Sequence, residues 1–502
     1  AKITHIKHYD AYDHRIDQIE RCAETKTLER EIFNLGLFDP KRNSSWSRFC
    51  KLFLLYQNGE FGVMCPIACT HGMVALMNRY ENTEPKLNEE AKSILLKARE
   101  GYIEADQKRY AVCAQFISEI QGGSDVPANL VEAVYEDEPH EDGMANCWRL
   151  YGQKFFCSAI QADYAVVTAK PKDSESPTKV AAFVVPSWLP GNKEKGVRNS
   201  YTIDRLKPKM GTSELPTAEI TYEGAVAYPI GPLDKGVANV VGIVLTLSRI
   251  HVAMGESAQA LRIAREAVLY AQFRRAFGVS VSIFPLMQNQ INTLENWSKR
   301  TAAGVFKIYN EFIEMGEELI SGIRDLEKIE DIELRKRRFR LRELIMLQKI
   351  VVADETPEMV RLAISFFGGH GIMEDFLCFP RIMRDSMIME LWEGPRNVLL
   401  TQIHRDFQRV KEWYPADQFV RDMLMPESEL LVEPLAQEFK HIIDHKSLLL
   451  QDKETLDICK RWQINSNNLM IAYQNVALKE LNYKDKPLKF SRLFREMKKR
   501  IK

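Results

Sequence analysis

The chain has 502 residues, enough for about three compact domains. Hydrophobic residues make up 45% and charged residues 27%, which excludes wholesale disorder and collagen-like order. Lys+Arg and Asp+Glu number 69 each, so the chain is not globally built to hold nucleic acid or an anionic membrane, and any such role needs a local patch.

Residues 1–112 read as helical, with charged and apolar stretches alternating in 29–37 and 91–103 and breaks at Pro40, Pro66 and Pro85. The texture changes near Ala111. Residues 113–232 hold short β-branched segments between turn residues; 165–168 and 180–185 read as strands, and 136–143, 172–178 and 190–195 as loops. Helical periodicity returns over 233–408. One helix runs through Val244, Leu247 and Val252 to Phe273, and another covers Leu344, Leu347, Val351, Met359 and Leu362. The run 327–342, dense in both charge signs, reads as a solvated helix face or its loop. Gly394-Pro395 marks a helix start, because proline's missing N–H costs nothing in a first turn. Residues 409–502 are helical in texture again, broken at Pro415, Pro426 and Pro434. The fold class is mostly α with a central β domain.

The nine cysteines are scattered without a C-x-x-C, which reads as reduced thiols in an intracellular compartment, mitochondrial matrix or cytoplasm, and not as a disulfide framework. No H-E-x-x-H or similar spacing occurs, so no metal is expected. The longest apolar stretch, 237–255, carries Ser248, Arg249 and His251, which argues against a membrane span. The first ten residues lack the apolar core of a signal peptide.

Five motifs carry possible chemistry. In Ser118–Asp125 (S-E-I-Q-G-G-S-D) two glycines let backbone approach a ligand, although Gly-Gly-Ser-Asp is also ordinary turn chemistry. In Gly152–Ser158 (G-Q-K-F-F-C-S) Phe156 and Ser158 share one strand face, offering a stacking ring and a hydroxyl, or simply strand core. Arg274–Gly278 (R-R-A-F-G) ends a long helix, where an arginine can hold a phosphate or serve the helix dipole. Phe367–Gly371 (F-G-G-H-G) lacks the strand and spacing of a Rossmann turn but can cradle an anion. Glu393 sits between Trp392 and Gly394-Pro395; apolar neighbours raise such a carboxylate's pKa, which suits a general base, while the plain alternative is an acidic residue favoured near a helix N-terminus.

The order and spacing of these motifs, with K-P-K-M-G at Lys207–Gly211 and M-R-D-x7-E-G ending at Gly394, resemble the acyl-CoA dehydrogenase family over residues 110–405. The Q-G-G-S-D run, F-x-S, W-E-G-x-x-N and the C-terminal addition look most like the AidB-like branch. The resemblance implies an N-terminal helical domain (1–112), a β-barrel-like middle domain (113–232), a helical bundle carrying the base (233–408) and a helical extension (409–502). It also implies FAD held between the middle domain, the bundle and a neighbouring subunit of a homotetramer built as a dimer of dimers. On this reading Gln115, Phe116, Ile117 and Ser118 line the flavin ring. Phe156 covers the flavin and Ser158 approaches N5. Arg274 and Phe277 reach the FAD of the adjacent subunit, Gly368 and Gly369 approach its pyrophosphate, and Trp392 and Asn397 lie beside the flavin. Ser124 and Arg249 contact the CoA portion of the substrate.

The implied reaction is α,β-dehydrogenation of a fatty acyl-CoA, with straight medium-to-long chains favoured, to trans-2-enoyl-CoA. Glu393 removes the α-proton and flavin N5 takes the β-hydride, with an electron-transfer flavoprotein as the acceptor. A second family group keeps its base immediately before the arginine of the long helix; here that residue is Ser248, which cannot serve. Glu390 is the nearby rival, three residues off the motif. The family's threonine after E-G is Pro395, an arginine after K-M-G is replaced around Ser213, and the glutamine before G-G-x-G is Ser365. These departures bear on turnover more than on FAD binding. Two alternatives stand beside the dehydrogenase: an oxidase passing electrons to O2, and a slow or non-catalytic flavoprotein that sequesters acyl-CoA or touches nucleic acid. The feature pointing to nucleic acid is the tail from Lys484 to Lys502, with nine Lys/Arg against two acids, which reads first as a solvated basic helix end, so a nucleic-acid partner is not the expectation.

Overall fold

The N-terminal segment begins with a hairpin, not a helix: β1 (His5–Tyr9) pairs antiparallel with β2 (Arg15–Glu20). The structure is a computed structural model that describes residues 4–100, 111–172 and 179–481. The hairpin corrects the helical reading of 1–112 at its start. Its strands are mostly polar, and their one buried residue, Asp17, is charged, so their alternation gives little apolar signal. Long-range bonds hold it instead. Buried Asp17 takes the Ile203 N–H at 2.9 Å and pairs with His8 at 2.6 Å, and Arg15 donates to the Ile203 carbonyl at 3.0 Å.

Four helices follow: α1 (Ala23–Phe33), α2 (Ser45–Tyr56), α3 (Phe61–Glu81) and α4 (Glu89–Glu100). The Ser44 hydroxyl caps α2 by accepting the Ser47 N–H. Pro66, expected to break the chain, lies inside α3, and Pro434 likewise lies inside α13 (Glu429–Asp444). Each proline forfeits one backbone bond near the helix start, and burial of the rest of the helix outweighs that loss. Two helical segments, Phe61–Glu81 and Gly236–Phe273, are long and apolar enough to cross a bilayer; both are mostly buried inside this fold, the pattern of core helices.

The middle segment holds β3 (Cys113–Phe116), β4 (Glu132–Glu136), β5 (Cys147–Ser158), β6 (Tyr164–Pro171), β7 (Ala181–Pro186), β8 (Tyr201–Leu206) and β9 (Thr217–Pro229). They run in the order β3-β6-β4-β5-β9-β7, β8 pairs β9, and β7 returns to pair β6, which closes the sheet on itself. β3 and β4 are parallel to β6 and the other pairs are antiparallel. The apolar run of β7 is buried throughout because it lies inside this closed sheet.

The bundle follows. A short α5 (Gly236–Asn239) and a π-helical turn lead into α6 (Leu245–Phe273). A two-strand hairpin, β10 (Arg275–Ala276) with β11 (Val279–Ser280), follows α6. Then come α7 (Pro285–Glu314), α8 (Ile323–Leu326), α9 (Ile332–Phe367), α10 (Phe379–Met389) and α11 (Arg396–Val410). The charged run 327–342 includes the capped start of α9, where Asp331 accepts the N–H groups of Glu333 and Leu334. The extension is α12 (Ala416–Leu424), α13 and α14 (Lys453–Glu480). α14 docks on the bundle through specific polar contacts. The Trp462 indole donates to the Leu400 carbonyl at 3.1 Å, Arg396 binds Ser466 and Asn467 at 3.0 and 2.7 Å, and Gln474 binds Gln348 at 3.0 Å. The expected loop beyond Lys172 to 178 and the basic tail from Lys484 lie outside the described residues.

The K-P-K-M-G segment locks the barrel to α10. A Cβ on Gly211 would lie 2.4 Å from the Arg384 carbonyl oxygen, and the adjacent Thr212 N–H donates to Asp385 at 2.5 Å. Gly211→Ala is therefore expected to force these backbones apart and cost about 1–3 kcal/mol, read as a lower urea midpoint at unchanged m-value.

Candidate active site

Three elements that are far apart in sequence meet at Glu393. β3 presents Gln115, whose amide Nε2 donates to Glu393 Oε1 at 2.9 Å. α6 presents Ser248, 3.5 Å from the same amide, and Arg249, whose Nε donates to the Glu393 carbonyl at 3.0 Å. Glu393 itself sits in the turn between α10 and α11, with φ +59°, a left-handed conformation that costs a non-glycine residue of order 1 kcal/mol or more. The turn is held against that strain by buried Lys349 of α9, whose Nζ donates to the Glu390 and Gly394 carbonyls, both at 2.9 Å. Arg249 and Lys349 together pin three carbonyls of one short turn.

The side chain is thereby aimed into a cavity walled by Tyr56, Phe61, Met64, Val252 and Trp392. Burial pushes the Glu393 carboxyl up to about 7; the Arg249 and Lys349 charges and the Gln115 bond pull the other way. Burial also brings Lys349 down to about 7 and Arg249 to about 10. Glu390 is exposed and does not line the cavity, so Glu393 is the carboxylate positioned for chemistry. If Glu393 is the base, it works only when ionised. kcat/KM, which reports the free protein, is then expected to rise with pH through about 7 and level off above it in an initial-rate pH profile.

Of the residues matched to the flavin ring, Gln115 touches Glu393 directly. Phe116 and Ile117 are buried in the barrel wall, and the Ser118 carbonyl accepts the Phe155 N–H at 2.9 Å, tying the first motif to the second. The Phe156 ring is 51% exposed, with Lys207 Nζ 4.5 Å from its centre. Ser158 Oγ lies 3.1 Å from the Thr217 hydroxyl, which in turn takes a bond from Lys209 at 2.9 Å. Ser124 and Asn397 are exposed.

The structure does not bring Arg274, Phe277, Gly368 and Gly369 to this place. They gather at the far end of α6, roughly 40 Å of helix away. There Arg274 donates to the Phe367 carbonyl at 3.2 Å and lies against Gly368 (φ +59°), while Phe277 is 94% exposed at the tip of the β10–β11 hairpin.

Sequence reasoning missed Lys349 and Lys154. The first was detectable as a lone charge inside the apolar run 344–353, and the second stands in the G-Q-K-x-F-x-S motif without an assigned role. It also missed a buried polar chain at the cavity wall: the Tyr56 hydroxyl and His251 Nδ1 are 2.8 Å apart, and His251 Nε2 and His71 Nδ1 are 2.9 Å apart. Burial lowers both histidines, so they are neutral.

Comparison with known proteins accounts for this arrangement. Residues 114–225 match the family model "Acyl-CoA dehydrogenase, middle domain" and residues 328–407 match "Acyl-CoA dehydrogenase, C-terminal domain". Acyl-CoA dehydrogenase family member 11 of Caenorhabditis elegans is 29% identical over 412 residues, covering 80% of this chain and 62% of that protein, so the chain spans less than two thirds of this relative. AidB of Escherichia coli (strain K12) is 25% identical over 408 residues, covering 79% of this chain and 68% of AidB. The crystal structure of Caenorhabditis elegans ACDH-11 in complex with C11-CoA superposes with a TM-score of 0.72 at 24% identity, covering 95% of this chain and 82% of that one. Over these two segments the chain is similar to acyl-CoA dehydrogenases, and its fold is theirs.

Proposed function

We propose that this protein desaturates the Cα–Cβ bond of a fatty acyl-CoA, giving the trans-2-enoyl-CoA, with Glu393 as the base. The observation that carries the reading is a carboxyl with a pKa near neutrality, held by a clamped turn and opening onto an apolar cavity. As a carboxylate, Glu393 removes the α-proton of the thioester. Among the described residues no protein acceptor takes its backbone N–H, which leaves that donor available to the thioester carbonyl, where charge develops. Phe61 and Trp392 exclude water from the reacting carbons.

The residues present fit FAD. The buried Gln115 Oε1 has no protein partner beside Glu393, and the Phe156 ring of the second matched motif is half exposed. FAD, when bound, supplies the two-electron acceptor for the β-hydrogen. Gln115–Ser118, Phe156 and Ser158 would hold its ring system. The separate Arg274–Phe277–Gly368 cluster would serve the FAD of a neighbouring copy, which supports a homo-oligomer, a tetramer by family resemblance. Electron-transfer flavoprotein is the proposed acceptor. The apolar lining supports a straight medium-to-long chain, and the worm relative's structure holds C11-CoA.

The test is anaerobic mixing of the flavin-loaded protein with acyl-CoAs of graded length. Bleaching of the flavin band supports the reading; no bleaching with any chain overturns it. Oxygen uptake during aerobic turnover would replace the electron-transfer flavoprotein by O2 as acceptor.

A further inference from the structure

One face of α6 leads from the base into the depth of the cavity. Ser248 stands beside Gln115 at its start. Val252 and Gly255 line the next turns, and Glu256 follows, eight residues or about 12 Å of helix rise beyond Ser248. Glu256 lines the same cavity as Glu393, is 1% exposed, and has no hydrogen-bond partner in the protein at either carboxyl oxygen. Thr356 approaches it from α9, but the Thr356 hydroxyl is committed to the Val352 carbonyl at 2.8 Å.

A carboxyl in that position is costly. An unpartnered buried polar group forfeits its hydration without compensation, and leucine would line an apolar tunnel better. Much of the cavity wall, such as Met64, Ala68 and Met389, offers no strong donor or acceptor, and the Tyr56 hydroxyl and His251 on the same wall are bonded to each other at 2.8 Å. Burial raises the Glu256 carboxyl to about 8, opposed first by the approach of the Thr356 hydroxyl and then by Lys349, with Asp385 and Glu390 adding to the rise. It is therefore mainly neutral near pH 7 and presents one O–H donor together with acceptor lone pairs. That combination suits a hydroxyl or a carbonyl oxygen and offers nothing to a methylene. One turn further along α6, Gln259 is also fully buried with both amide atoms unpartnered, so the polar character continues past Glu256.

We propose that Glu256 is a specificity-determining residue, which hydrogen-bonds a hydroxyl or carbonyl substituent carried along the acyl chain at its own depth in the cavity. The preferred substrate is then an oxygenated fatty acyl-CoA, not the plain chain. This rests on the acyl-CoA reading above and narrows its substrate class. The logic is that of a buried polar group that must be matched: a chain lacking the oxygen strands the carboxyl, whereas a chain bearing it satisfies both groups at once.

The experiment compares straight acyl-CoAs with hydroxyacyl-CoAs of the same length, the hydroxyl being walked along the chain. kcat/KM for flavin reduction is measured in the flavin-loaded protein. The wild type is expected to prefer one hydroxyl position over the plain chain by about 10- to 100-fold. Glu256→Gln, which keeps a donor and an acceptor, is expected to retain most of that preference. Glu256→Leu is expected to lose it and to improve on plain chains. A wild type indifferent to hydroxyl position overturns the proposal whether or not the leucine variant folds, as does a preference that survives in Glu256→Leu. Bleaching by plain chains with no hydroxyl preference sinks this proposal alone, whereas no bleaching by any thioester sinks the acyl-CoA reading beneath it.

Discussion

Glu393→Gln is expected to lower the rate of flavin reduction by acyl-CoA by about a thousandfold or more, with the thioester still bound. The amide has the carboxylate's shape but accepts no proton. The turn should survive, because Arg249 and Lys349 bind its backbone carbonyls and not the Glu393 side chain. Rapid mixing measures the rate, and titration of the flavin spectrum measures binding. A rate within tenfold of wild type would remove Glu393 as the base. The substitution also has a stability signature with a defined sign. The folded carboxyl keeps its proton to about pH 7, above its ordinary value of 4.5. Its stabilising contribution is therefore full at low pH and is lost as pH rises through about 7, where a buried charge must form. The neutral amide escapes that loss, so the Tm of Glu393→Gln relative to wild type should be higher at pH 8 than at pH 5.

The site was legible in sequence wherever local pattern and chemistry coincide. Trp392-Glu393-Gly394-Pro395 names both an apolar neighbour for the carboxylate and the turn that carries it; the structure adds the left-handed φ and the bonds from Gln115, Arg249 and Lys349. The β block announced itself because residues such as Val184 and Val185 are buried on both faces of a closed sheet and read as continuous apolar runs. What stayed hidden depends on packing between distant segments. His5–Glu20 carries no apolar alternation, since its strand conformation is fixed by bonds to Ile203 on another strand. Lys349 and Glu256 look like ordinary charges on helices, and only the folded chain shows that one clamps the turn carrying Glu393 and the other lines the cavity without a geometric hydrogen bond. Arg274 and Glu393 belong to one motif series, yet Arg274 ends α6 while Glu393 meets the opposite end of that helix at Arg249, so its length holds them apart. Serial order reports the family, while distance reports which residues one copy of the chain can use together.

The largest stability effect is expected at Lys154, which has no solvent exposure and pairs with the 3%-exposed Glu119 at 2.7 Å. Its ammonium has three donors, and three acceptors meet them: Glu119 Oε1, the Ile117 carbonyl at 3.2 Å and the Thr168 hydroxyl at 3.3 Å. Glu119 in turn accepts the Leu130 and Val131 N–H groups at 2.5 and 3.2 Å and the Gln121 amide at 2.8 Å. Burial works to raise the Glu119 carboxyl, and the Lys154 charge with these bonds outweighs it, leaving Glu119 below the usual carboxylate range. Burial likewise lowers Lys154, and Glu119 partly restores it. The network thus closes the loop from Ile117 to Val131 over the barrel and fixes Ser118 beside Phe155. Lys154→Met removes the cation and strands a buried carboxylate, at a cost of about 3–5 kcal/mol. The urea midpoint of the middle domain should fall accordingly, and flavin should be lost more readily because its proposed backbone support is loosened. Replacing both charges, Lys154→Met with Glu119→Gln, should recover most of the loss, since burying an ion pair contributes little beyond what packing and neutral hydrogen bonds provide. Single variants that each lose less than about 1 kcal/mol would show that the two charges are not coupled, and the loop's order would then have to come from the Asn129–Thr168 bond and the apolar contacts of Val126 and Val131.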